Sequence, residues 1–169
     1  NYLLNNNSIG KLISKKLDIL IIAPSARNLY QKLAEEFSAK EPNIWAGLLA
    51  NSVRSAGFGV MIYDMEIERP DEKTFSNIIA DINPRLVLFV VTGQNPNAST
   101  AAMSGAIQSA EWIKNNKPEF LIAFIGPHMN ALPKQTLMDH SFIDFGFTNE
   151  GVYALINVLI TDLSASSLK

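Results

Sequence analysis

"RLVLFVVTGQNPNASTAAMSGAIQSAEWIKNNKPEFLIAFIG", residues 85–126, is the stretch whose reading decides the fold. After Arg85 it runs through Leu86–Val91 without a polar residue, as a strand covered on both faces does. It then enters "TGQNPNAST", a loop rich in hydrogen-bonding groups yet without charge. A helical segment over 98–117 follows, and a second apolar run, 120–126, closes the unit. Strand, helix and strand in this order describe a crossover between parallel strands.

The same alternation extends to both sides. "LDILIIA" (17–23) and "GVMIYDM" (59–65) read as strands, and "FIDFGF" (142–147) as a weaker one. "NIWAGLLANSVRSAG" (43–57) reads as a helix with Trp45, Leu48, Leu49, Val53 and Ala56 on one side. Pro42 stands just before its start and Gly57 ends it. Further helices are expected over 71–82, near 132–139 and over 150–163, the last with Val152, Leu155, Ile156, Leu159, Ile160 and Leu163 at helical spacing. Five strands alternating with five helices predict an α/β domain. The expected form is flavodoxin-like: a doubly wound, five-stranded parallel sheet of order 2-1-3-4-5 in three layers, α/β/α. Ligands then bind beyond the carboxyl ends of the strands, where the order reverses.

At 169 residues the chain is long enough for one such domain over 17–163, with an N-terminal extension over 1–16 and a linker over 164–169. The first residue is not Met and the last seven are "LSASSLK", so a fragment of a longer protein is expected. A net charge of −2 without a basic tract gives no footprint for nucleic acid or an anionic membrane. No apolar run approaches a membrane span and no secretory signal opens the chain, which makes the cytoplasm the default location. Cysteine is absent, which excludes a disulfide framework, a thiolate metal site, a cysteine nucleophile and a cysteine-ligated cluster on this chain.

Several occupants of this fold fail on their loops. A phospho-accepting receiver needs acidic residues after strands 1 and 3; here Ala23-Pro24-Ser25 and Thr92-Gly93 stand there. The first connection has no glycine before Gly47, so the dinucleotide fingerprint is missing. Asp64 is read as a strand-end residue rather than a ribose ligand. "APSARNLY" is a poor match to a flavin phosphate loop, and no nucleophile elbow occurs.

Four loops in order instead resemble the cobalamin-binding domain at the N-terminus of cobalamin-dependent radical S-adenosylmethionine enzymes. "LIIAPSARNLY" with "EPNIWAGLLANSVRSAGFGVMIYD", "VTGQNPNAST", "IGPHMNALP" and "IDFGFTNEG" carry the resemblance, over roughly 17–163. Two departures stand out: Gly126-Pro127 replaces the family's Gly-Gly, and the cysteine motif of the radical cluster is absent; near the last strand Asp144, Glu150 and Gly151 are kept, with Thr148-Asn149 where a Gly-Glu is usual. The resemblance implies cobalamin as cofactor, its cobalt the metal involved, with Ser25, Arg27, Tyr30, Thr92, Gly93, Asn95, Ser99, Thr100, Gly126, His128 and Glu150 as candidate cofactor contacts. It implies a slot after strand 3 for the nucleotide tail, beside a helix kept slim by Ala98, Ala101, Ala102, Ser104, Gly105 and Ala106. The plainer reading is a helix capped by Asn97 or Ser99 whose small residues pack on the sheet; both can hold.

Other cobalamin modules carry Asp-x-His-x-x-Gly after strand 1, but the loop 24–42 has no His. The resemblance therefore implies base-off cobalamin without a histidine ligand from that loop. It also implies that this chain is not catalytic alone. The [4Fe–4S] cluster and S-adenosylmethionine would belong to a separate, C-terminal radical domain, making the full-length protein methyltransferase-like. His128 is open between a cofactor or domain contact and a surface residue; His140 is expected at the surface. Glu66 and Glu68, like Glu35 and Glu36, are read as solvated. A flavodoxin-like domain for another ligand, such as a flavin, or a partner-binding module with a degenerate site, is the alternative.

Overall fold

The computed structural model describes residues 17–25, 42–93 and 96–164, the side chains of 96–101 excepted. Five strands form one parallel sheet: β1 (Ile19–Ala23), β2 (Val60–Asp64), β3 (Leu86–Val90), β4 (Ile122–Ile125) and β5 (Phe145–Phe147), in the order β2-β1-β3-β4-β5. The expected topology is the observed one. Every residue of β1, β3 and β4 is buried, which is why these strands are continuous apolar runs rather than alternating ones. β2, at an edge, leaves Met61 and Ile62 partly open to solvent.

Helices cover both faces. One face (Ile19, Ile21, Leu86, Leu88, Val90, Ala123, Ile125) packs against α1 (Ile44–Ser55) and the C-terminal helix Val152–Ile160. Between β2 and β3 lie the short α2 (Met65–Glu68) and α3 (Glu72–Ile82), and between β3 and β4 the long α4 (Pro96–Asn116). The second face (Leu20, Ile22, Val87, Phe89, Ile122, Phe124) packs against α3 and α4 through Phe75, Ile79, Met103, Ala106, Ala110 and Ile113. Phe89 and Phe124 stack at 5.0 Å between ring centroids, fastening β3 to β4 on that side. After β4 come α5 (Pro127–Ala131) and α6 (Pro133–Asp139), and the C-terminal helix is α7. No helix among the described residues is long and apolar enough to cross a membrane.

Several details depart from the sequence reading. α1 turns Ala46, Leu49, Ala50 and Val53 to the sheet, leaving Trp45 and Leu48 about half exposed and Ala56 outside the core. Ala46 and Ala50 let the helix axis approach the strands closely, while Trp45 and Leu48 go outward. α4 begins at Pro96, so Asn97 and Ser99 lie inside its first turns and not at its N-cap. Proline suits a first helical position, where its missing N–H is not needed. β5 spans only Phe145–Phe147; the chain turns at 141–142 before it, where the His140 and Phe142 rings meet. α7 stops at Ile160, which is 69% exposed, so the buried stripe reduces to Leu155 and Leu159.

The amino ends of the strands are locked by charge. Arg85 pairs with Asp18 at 2.9 Å and donates to the Thr161 carbonyl at 2.6 Å, while Asp18 accepts the Gly59 N–H at 2.7 Å. Asp144 accepts the Ile122 N–H at 2.7 Å and pairs with Lys114 at 2.9 Å. These clamps close the edge of the sheet opposite to the one where ligands bind.

Candidate functional site

At the carboxyl edge a cleft of about 350 Å³ opens between α1, the ends of β3 and β4, the start of α5 and the turn into α7. That volume is in the range of small-molecule pockets. Leu49, Val90 and Ile125, all buried, form its apolar floor. Trp45 and Pro127 stand on its walls, and its polar groups come from Thr92, Asn130, Asn149 and Glu150.

Asn43 builds one side of this cleft. As N-cap of α1 its Oδ1 accepts the Ala46 N–H at 3.0 Å, while its Nδ2 donates to the Val90 carbonyl at 3.0 Å. Thr92 Oγ1 donates to the same Oδ1, also at 3.0 Å. One side chain thus caps the helix and ties it to the end of β3. Sequence reading placed Pro42 at this helix start and passed over its neighbour; a small amide before an apolar helical run is the signal that could have found it.

Gly126 shapes the other side. Its φ is +146°, and a Cβ there would overlap the Val91 carbonyl oxygen, so only glycine permits β4 to turn this closely past β3. The chain then starts α5 with Pro127 at its first position. Pro127 leaves the cleft open and becomes part of its wall. Asn130 Oδ1 accepts the Asn149 N–H at 2.6 Å and holds the turn into α7, where Asn149 has φ +56°.

A second contact zone lies at the end of β1. Ser25 Oγ donates to Glu66 at 2.6 Å, and the Ser25 carbonyl presses on Gly105, where a Cβ would overlap it. The small residues of α4 therefore serve, at Gly105, to admit the backbone leaving β1. Glu66 is a hydrogen-bond partner here rather than merely solvated. Asp64 caps α2, accepting from the N–H groups of Glu66 and Ile67, as a strand-end residue can.

Of the expected contacts, Thr92, Gly126 and Glu150 come together in the cleft. Ser25 is engaged with Glu66, Gly93 is exposed past the end of β3, and half-buried His128 sits on α5 outside the cleft lining. Arg27, Tyr30 and Asn95 lie outside the described residues; Ser99 and Thr100 fall on the first turns of α4, and their side chains also lie outside the description. Asp144, part of the motif near the last strand, belongs to the opposite edge. His140 is half-buried rather than fully exposed. Trp45, Leu49, Asn130 and Asn149 enter the cleft without having been singled out for it. Among the described residues no cluster of three or more His, Asp or Glu side chains is disposed to hold a metal ion.

A doubly wound parallel sheet with a partly apolar cleft at the carboxyl edge of its central strands defines a small-molecule-binding α/β domain of flavodoxin type. Across residues 30–159 the sequence matches the B12 binding domain family, and the chain belongs to it. Its cofactor is cobalamin, and the flavin alternative falls away. No curated protein sequence matches the chain. Among solved structures it is similar to the radical S-adenosylmethionine methyltransferase TsrM from Kitasatospora setae, with a TM-score of 0.61 and 16% identity over 86% of this chain. It is also similar to the cobalamin-dependent S-adenosylmethionine radical enzyme OxsB with aqua-cobalamin bound, with a TM-score of 0.58 and 16% identity over 90% of this chain. At that identity the likeness shows the fold. The chain spans 25% of the TsrM chain and 19% of the OxsB chain.

Proposed function

We propose that this domain holds cobalamin base-off, with the nucleotide tail seated in the cleft between α1 and the ends of β3 and β4, and presents the corrin to a radical S-adenosylmethionine domain of the full-length protein. The observation that carries the reading is the cleft itself: about 350 Å³, floored by Leu49, Val90 and Ile125 and walled by the Trp45 ring, Thr92, the amides of Asn130 and Asn149, and Glu150. A released heteroaromatic base with its ribose needs that combination of apolar floor and hydrogen-bond partners. When bound, cobalamin supplies a cobalt centre for methyl-transfer or redox chemistry; the residues of this chain bind and orient it. Both histidines of the chain follow β4, so none stands in the β1 loop to ligate cobalt from below. The cysteine-ligated cluster would come from that radical domain, because this chain has no cysteine.

The test is spectroscopic. The chain is incubated with hydroxocobalamin and desalted, and its visible spectrum recorded; retained corrin with base-off bands is expected. Colourless protein would overturn the proposal. The EPR spectrum of bound cob(II)alamin should lack nitrogen splitting of the cobalt lines, and splitting would refute the absence of a histidine ligand. A Cys-x₃-Cys-x₂-Cys motif in the same reading frame is expected for the coupled radical domain; its absence would sink that half.

A further inference from the structure

We propose that the cleft prefers a corrinoid whose lower nucleotide base carries a hydrogen-bond donor on its edge, a purine with an exocyclic amino group, over one ending in dimethylbenzimidazole. The inference rests on the tail-slot reading above and concerns which tail the slot takes.

Three hydrogen bonds around Asn43 fix the direction of a fourth group. The Ala46 backbone N–H can only donate, so the atom 3.0 Å from it is the Asn43 oxygen. The Val90 carbonyl can only accept, so the atom 3.0 Å from it is the Asn43 nitrogen. The amide therefore has one orientation. Thr92 Oγ1 lies 3.0 Å from that same oxygen, which has no proton to give, and Thr92 must spend its single hydroxyl proton there. Towards the cleft Thr92 has lone pairs alone.

The neighbouring wall adds to this polarity. The Glu150 carboxylate accepts, and Pro127 has no backbone N–H where a second glycine would offer one. Asn130 is the complement: its oxygen accepts the Asn149 N–H at 2.6 Å, which fixes the orientation of the amide and leaves Nδ2 to donate. The cleft presents acceptors at Thr92 and Glu150, a donor at Asn130, and one of each on the Asn149 side-chain amide.

A benzimidazole released from cobalt has one polar edge atom, a ring nitrogen that accepts. It can use Asn130, but it gives Thr92 and Glu150 no donor and displaces their water. Acceptors desolvated without replacement weaken binding. An aminopurine edge sets N–H donors beside accepting ring nitrogens and can answer both kinds of group. The apolar floor and the Trp45 ring serve either base alike.

The test compares three corrinoids on the 169-residue chain: cobinamide, which lacks the nucleotide, cobalamin, and the cobamide with adenine as lower base. Affinities come from tryptophan fluorescence quenching, with bound corrin verified in the visible spectrum after desalting. The adenine cobamide should bind roughly three- to tenfold more tightly than cobalamin, the size of one net hydrogen bond, and both more tightly than cobinamide. Thr92→Val should narrow the ratio between the two complete cobamides, and Thr92→Ser, which keeps the hydroxyl, should restore it. Equal affinity for the two, or a preference for cobalamin, overturns the inference while the tail slot stands. Cobinamide binding as tightly as the complete cobamides overturns the tail slot and this preference with it. Binding of none of the three removes the proposed function altogether. The ratio is measured on the unaltered chain first, so a poorly folding Thr92 variant does not shield the inference.

Discussion

Replacing Asn43 with alanine removes three hydrogen bonds through one side chain, and their sizes can be estimated separately. Loss of the N-cap on α1 costs about 1 kcal/mol. The Val90 carbonyl loses one donor but keeps the Thr92 N–H at 3.1 Å, so this term is about 0.5–1 kcal/mol. The Thr92 hydroxyl, half-buried, recovers part of its bond from water, leaving about 0.5 kcal/mol. Together Asn43→Ala should cost about 2–2.5 kcal/mol. Urea unfolding followed by far-UV circular dichroism reads this as a midpoint lower by about 1–1.25 M, for a slope near 2 kcal/mol/M. Asn43→Asp keeps the acceptor for Ala46 and Thr92 but sets an oxygen against the Val90 carbonyl, and should fall between the two. Corrin affinity should weaken in Asn43→Ala, because α1 is then free to shift relative to Thr92. If Asn43→Ala unfolds within about 0.5 kcal/mol of the unaltered protein, the tether is not what holds this side of the cleft.

Three other outcomes follow from different parts of the molecule. Gly126→Ala should destabilise by about 2 kcal/mol or more and abolish corrin retention, since φ +146° is foreign to alanine and its Cβ meets the Val91 carbonyl; a stable, corrin-binding variant would contradict the close passage of β4. Arg85→Leu breaks the pairing with Asp18 and the bond to Thr161, lowering stability by about 1–3 kcal/mol, yet corrin affinity should not change because this clamp lies at the opposite edge of the sheet. Burial, and secondarily the Glu68 charge, raise the Tyr63 pKa above its ordinary value of 10.0, so its contribution to stability is complete below that pH and is lost as pH rises through the folded value. Urea midpoints measured into the alkaline range should fall there, and Tyr63→Phe should flatten that limb.

Much of the architecture was legible because burial leaves a plain mark on sequence. β1, β3 and β4 have helices on both faces, so none of their positions tolerates a polar side chain and each reads as an unbroken apolar run. Loops between such runs then mark the carboxyl edge, and Thr92, Gly126 and Glu150, singled out there by the family resemblance, do line the cleft. The weaker signals failed where two answers shared one period. α1 has apolar residues around much of its circumference, and periodicity favoured Trp45 and Leu48 over Ala46 and Ala50 for the buried side. Helical spacing continued past Ile160 in α7, although the chain there turns extended at Thr161.

By itself, the sequence determined the strand inventory, the parallel order β2-β1-β3-β4-β5 and the family, because each depends on local runs and their succession. Only the tertiary structure decided what the cleft offers a ligand. Asn43 and Thr92 are far apart in the chain, and nothing local in either says that the threonine proton is spent on the asparagine oxygen. Hydrogen-bond direction is a property of a closed network: it emerges when α1 docks on β3 and the Ala46 N–H and Val90 carbonyl together leave the amide a single orientation.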